Sequence, residues 1–147
     1  MMKIALASDH AGLDLKEEIK AYLGDYEVVD FGTHSSASMN YPDTGFAASM
    51  AVAKGECDRG ILICGSGIGM SIVANKVKGI RAALCHCTDF ARLSRMHNDA
   101  NVLVFPGRFV SKYLAKEMIE IWMKTPFEGG RHQTRLDIIN EFEQKEK

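Results

Sequence analysis

The stretch Gly60-Ile61-Leu62-Ile63-Cys64 is an unbroken apolar run that ends directly on Gly65-Ser66-Gly67-Ile68-Gly69 and turns helical around Met70 to Asn75. A strand with no polar alternation has to be covered on both faces, the situation of a parallel sheet lying between helices. The rest of the chain repeats the pattern. Ile4 to Ala7 reads as a strand, followed by Leu15, Ile19, Tyr22 and Leu23 at the spacing of one helix face. Val28 to Phe31 is a second short strand. Beyond it lies a polar, serine-rich loop from Gly32 to Tyr41, and Pro42 stands where a first helical turn accepts proline. The helix it opens is expected to bury Phe46, Ala47, Met50 and Ala51. Ile80 to Cys85 supplies a fourth strand, Thr88 the N-cap of a helix to about Met96, and Val102 to Phe105 a fifth strand. Ser111 then caps a helix carrying Leu114, Met118, Ile121 and Trp122 on one face, and a last helix from about His132 to Lys145 carries Leu136, Ile139 and Phe142 on one side. The expectation is one α/β domain over residues 1–147, a three-layer α/β/α, Rossmann-like fold around a five-stranded parallel sheet.

Composition removes several functions. Eighteen Lys+Arg against nineteen Asp+Glu leave a formal charge of −1, so there is no global basic field for nucleic acid or an anionic membrane. No apolar run approaches the ~20 residues that span a bilayer, and the apolar start is too short for a signal peptide. Cys57, Cys64, Cys85 and Cys87 lack zinc-site spacing, and nothing points to secretion, so a cytoplasmic protein with free thiols is expected.

In such sheets ligands bind beyond the carboxyl ends of the strands. Those ends hold Ser8, Asp9 and His10; Gly32 to His34; Cys64 to Gly69; His86 to Asp89; and Gly107 with Arg108. The glycine-rich turn reads either as a cradle of backbone N–H groups for an oxyanion or phosphate, or as a tight turn that needs glycine for packing. Its G-x-G-x-G spacing is not a dinucleotide fingerprint, and no Walker lysine follows. Cys64 faces the helix N-terminus, where the positive dipole end favours a thiolate; the alternative is a small buried core residue. Asp9-His10 reads as an acid and base pair or a plain loop. His97-Asn98-Asp99 is a proton-donating cluster or a helix end. Arg131 and Arg135, four apart on one helix face, suit a phosphate dianion or a solvated surface. His34, His86 and His132 carry no comparable context.

Taken together, Ser8-Asp9-His10-Ala11-Gly12, Asn40-Tyr41-Pro42-Asp43, Ile63-Cys64-Gly65-Ser66-Gly67-Ile68-Gly69-Met70-Ser71, Gly79-Ile80-Arg81-Ala82, Leu93 to Leu103 and Phe127-Glu128-Gly129-Gly130-Arg131-His132 strongly resemble the type B ribose-5-phosphate isomerases, nearly end to end. The resemblance implies a metal-free, cofactor-independent aldose–ketose isomerase of the pentose phosphate pathway, with allose and galactose phosphates as substrates of close relatives. It implies Cys64 as the base between C1 and C2, the amides of Gly65, Ser66, Gly67, Ile68 and Gly69 with the Ser66 hydroxyl on the enediolate, and His97 as the ring opener. Asp9, His10 and Asn98 would hold sugar hydroxyls, Tyr41 would line the pocket, and Arg108, Arg131 and Arg135 would bind phosphate. Some members carry glutamate where this chain has Met70 and lack the cysteine; Cys64 places this chain with the thiol-base group. At Ser66 part of that group has threonine, and losing its methyl enlarges the pocket.

His97 and Asn98 precede a strand, whereas Cys64 and Asp9 follow strands at the opposite edge of the sheet. The expectation is therefore a site shared between two chains, in a homodimer or a tetramer of such dimers, with the last helix on the partner. The rivals are a sugar-phosphate sensor without turnover and a flavodoxin-like FMN binder, whose purified protein would be yellow.

Overall fold

In the computed structural model, which describes residues 1–146, five strands pair in parallel in the order β2-β1-β3-β5-β4. They are β1 (Lys3–Ser8), β2 (Glu27–Asp30), β3 (Arg59–Cys64), β4 (Ala82–Leu84) and β5 (Val102–Pro106). The helices are α1 (Leu13–Tyr22), α2 (Tyr41–Ala53), α3 (Ile68–Asn75), α4 (Thr88–Met96), α5 (Lys112–Lys124) and α6 (Arg131–Lys145). The three-layer α/β/α expectation holds.

Alternation along the central strands divides the core into two layers. Ile4, Leu6, Ile61, Ile63, Leu103 and Phe105 pack with Leu15 and Ile19 of α1 and with Met118 and Trp122 of α5. Ala5, Ala7, Leu62, Cys64 and Val104 face the other way, toward Ala48 and Val52 of α2 and Met70 and Ala74 of α3. Cys64 thus belongs to the α2 and α3 side.

Two local expectations are corrected. Helix α2 buries Gly45, Ala48, Ser49, Ala51 and Val52, and leaves Phe46, Ala47 and Met50 exposed. The helix is rich in small apolar residues all round, and close approach decides its orientation: a Cβ at Gly45 would meet Met70 Sδ at 2.7 Å. The N-cap of α4 is Cys87, in extended conformation, with Thr88 as the first helical residue. Ser111 caps α5 as expected, its hydroxyl accepting from the Leu114 N–H at 3.1 Å.

Beside the β1 end, the fully buried Lys16 ammonium donates to Asp30 Oδ2 at 2.6 Å, and Lys20 reaches the same oxygen at 2.8 Å. Asp30 Oδ1 accepts from the Gly32 N–H at 2.9 Å, and the Gly32 carbonyl accepts from Ser8 N–H at 2.7 Å. Burial alone would raise the Asp30 carboxyl, but hydrogen bonds from Lys16, Lys20 and Gly32 outweigh it and hold it below its ordinary 3.8. A depressed carboxyl stabilises the fold above its ordinary range and loses that contribution as pH falls through its folded-state value. Asp30→Asn, which leaves Lys16 only the half-exposed Glu17, is expected to cost about 3 kcal/mol at pH 7. Urea unfolding at stepped pH should show the gap between variant and wild type closing below about pH 4.

Candidate active site

The order of strands reverses between β1 and β3, and ligands of open parallel sheets sit at such a switch point. A cleft of about 640 Å³ opens there, lined by Asp9 and His10 after β1, by Cys64, Gly65, Ser66, Ile68 and Gly69 after β3, and by Tyr41 and Arg108. Asp9 is buried, its Oδ1 accepting from the Gly12 N–H at 3.0 Å. His10 Nδ1 accepts from the Met39 N–H at 3.2 Å, so in the neutral ring the proton is on Nε2.

The β3–α3 turn is shaped by its glycines. Gly67 has φ +75°, and a Cβ there would press on Leu84 and on the Phe105 backbone. At Gly69 a Cβ would lie 2.6 Å from the Tyr41 ring, so the missing side chain is what lets Tyr41 lie against the turn. Among the described residues no protein acceptor engages the N–H groups of Gly65, Ser66 or Gly67. The Ile68 N–H is taken by Ser66 Oγ at 3.2 Å, which removes one of the expected loop donors and leaves the hydroxyl proton of Ser66 free to donate. The Arg108 N–H donates to the Gly65 carbonyl at 3.0 Å, and its guanidinium lies over Gly65. A thiol, free amides, a hydroxyl and a guanidinium therefore converge where an oxyanion can sit.

The other cysteines lie away from the cleft. Burial pushes the Cys85 thiol up to about 12 and raises Cys57 as well, and none of Cys57, Cys85 and Cys87 lines the cleft.

His97, Asn98, Arg131 and Arg135 are elsewhere. Gly60 pairs with Val102 and Cys64 with Pro106, so the N-terminal end of β5 lies about 13 Å along the sheet from Cys64 at the usual strand rise. His97 caps α4, before β5, beyond that far end. The exposed Arg131 and Arg135 stand in the first turns of α6, in no ion pair among the described residues. One chain gathers Asp9, His10, Tyr41, Cys64 to Gly69 and Arg108, and separates them from the second group.

That second group contains a residue that nothing in the sequence pattern singles out. His132 is buried and stacks on His97, with ring centroids 4.2 Å apart and planes inclined by 13°. Burial, with the nearby His97 and Arg131, lowers the His132 imidazole despite Glu128. Donor atoms of His97, Glu128 and His132 all lie within 4.8 Å of one another. Stacked rings, however, direct their in-plane lone pairs in parallel and not toward one ion, so the trio is poorly disposed to chelate. Ile72 and Phe109 at the cleft were also unanticipated, since exposed apolar residues near a turn carry no signal of their own.

Fold and cleft together define the class: an open parallel α/β protein with a cleft at its switch point where a cysteine, unengaged backbone amides and an arginine meet. The sequence profile described as Ribose/Galactose Isomerase matches residues 4–139. The chain belongs to the ribose/galactose isomerase family. It is 50% identical over 147 residues to ribose-5-phosphate isomerase B of Escherichia coli strain K12, covering 99% of each chain. It is 41% identical over 150 residues to D-erythrulose-4-phosphate isomerase of Pectobacterium atrosepticum, covering 100% of this chain and 99% of the relative. The solved ribose-5-phosphate isomerase B of Clostridium thermocellum superposes with a TM-score of 0.96 at 53% identity, over 98% of this chain and 99% of that one.

Proposed function

We propose that this chain interconverts D-ribose 5-phosphate and D-ribulose 5-phosphate through a cis-enediolate in the pentose phosphate pathway, with Cys64 as the base and no metal or organic cofactor. The observation that carries the reading is Cys64 at the switch-point cleft beneath the unengaged amides of Gly65, Ser66 and Gly67, in a chain half identical over its full length to an enzyme named for this activity.

The reaction starts from the closed sugar. The partner subunit's His97 moves a proton from the C1 hydroxyl to the ring oxygen, which breaks the C1–O4 bond and leaves an aldehyde. Asp9, His10 and Tyr41, with the partner subunit's Asn98, hold the sugar. The Cys64 thiolate takes the C2 proton, and electron density passes to O1, where the loop amides and the Ser66 hydroxyl stabilise it. Return of that proton to C1, with transfer of the O2 proton to O1, gives the ketose. Arg108, with the partner subunit's Arg131 and the partner subunit's Arg135, grips the phosphate.

The site is completed by a second copy in a homodimer, or in a tetramer of such dimers. Both the separation of His97 from Cys64 and the exposure of Ile139 and Phe142 on α6, beside a buried Leu136, support this reading. No helix among the described residues is long and apolar enough to cross a membrane, which accords with a cytoplasmic enzyme. Incubation with ribose 5-phosphate in excess chelator is expected to yield ribulose 5-phosphate. Loss of activity on chelation, restored by a metal, would overturn the mechanism. Side-by-side assays of ribose, allose and galactose phosphates rank the substrates.

A further inference from the structure

Arg81 and Asp99 belong to the sequence blocks that mark the family resemblance but have no part in the reaction as described above. Asp99 is the one non-glycine residue with positive φ among the described residues, at +46°, whereas Gly32, Gly55, Gly67, Gly79, Gly129 and Gly130 occupy the other such positions. Glycine adopts this backbone without cost and aspartate does not. A carboxylate standing here is therefore a side chain in use.

Two arginines use it. Arg95, buried on α4, donates to Asp99 Oδ1 at 2.8 Å and to the Ala100 carbonyl at 2.7 Å. Arg81, just before β4, donates from Nη2 to Asp99 Oδ2 at 3.2 Å and to the Asp99 carbonyl at 2.9 Å. Its Nε reaches the carbonyls of Asn98 at 3.0 Å and Asp99 at 3.1 Å. Arg81 is fixed in turn, because its own N–H donates to Asn101 Oδ1 at 2.8 Å. The turn after His97 is thus held from the helix side by Arg95 and from the sheet side by Arg81, with the Asp99 carboxylate joining the two.

We propose that Asp99, clamped by Arg81 and Arg95, is a positioning residue that fixes His97 for opening the sugar ring. The inference rests on the reading of His97 given above. His97 is the last residue before an irregular turn, and a helix end without such a clamp frays. Proton delivery to a ring oxygen held largely by another subunit tolerates little displacement, since misplacement by about 1 Å costs on the order of 100-fold.

The test separates ring opening from proton transfer. Ribose 5-phosphate is a furanose; erythrose 4-phosphate, with its 4-hydroxyl phosphorylated, cannot close that ring and needs no opening. Turnover of both is measured for wild type, His97→Ala, Asp99→Gly and Asp99→Asn, with thermal unfolding of each. Asp99→Gly is expected to lose about tenfold in kcat on ribose 5-phosphate and less than about twofold on the tetrose. Asp99→Asn, which tolerates the left-handed backbone and keeps an acceptor oxygen, should fall between it and wild type. It also serves if Asp99→Gly does not fold. Parallel losses on both substrates, or no loss on either, would overturn the proposal. If wild type is inert on the tetrose, the inhibition constant of 4-phosphoerythronate, an acyclic probe, replaces it: unchanged binding beside lost turnover supports the proposal, and equal losses oppose it. His97→Ala is the separate control. If it fails to discriminate closed from acyclic ligands, the role of His97 falls; if it discriminates and the Asp99 variants do not, only the positioning role falls.

Discussion

Cys64→Ala is expected to lower kcat for ribose 5-phosphate by 10²–10⁴-fold, roughly the range for loss of a positioned general base. The alanine keeps Cβ and fits a position where Cys64 is 5% exposed and packed with Ala7 and Leu62, so folding should be nearly unaffected. Arg108 and the loop amides proposed to hold the substrate are untouched, so KM should change far less than kcat. Cys64→Ser, which retains a poorer base, should not recover most of the loss. A Cys64→Ala enzyme with near wild-type kcat would remove the thiol from the mechanism. Circular dichroism and thermal unfolding alongside the kinetics distinguish a chemical loss from a folding loss.

The sheet and the place of its ligand cleft were legible because central parallel strands leave a plain mark: continuous apolar runs such as Gly60 to Cys64, each followed by turn residues and a helical spacing. The residues right after those runs, Asp9 and His10 together with Cys64, Gly65, Ser66, Ile68 and Gly69, are among those the cleft gathers. Chain order alone also separated His97 from Cys64, because a residue before one parallel strand and a residue after another lie at opposite edges. The orientation of α2 was not legible, since alanine and glycine mark no face until the closeness of Met70 selects one. His132 escaped because a lone histidine at a helix start looks the same whether exposed or stacked on another ring. The engagement of Ile68 N–H by Ser66 and the left-handed backbone of Asp99 depend on local dihedral angles that residue types only bias. That Arg81 and Arg95 both hold the Asp99 turn emerges only when those angles are known.

Each site is predicted to be assembled from Cys64 of one copy and His97 of another. Cys64→Ala and His97→Ala subunits, each inactive alone, offer the most direct measurement when mixed under conditions of proven subunit exchange. Random pairing makes half of the dimers mixed, and each mixed dimer holds one site with both intact residues and one with neither. Recovery of about one quarter of wild-type specific activity is therefore predicted for an isologous, shared site. If Cys64 and His97 of the same chain worked together, every site in every dimer would lack one of them. No recovery above the separate variants, despite demonstrated exchange, would rule out a site shared between subunits.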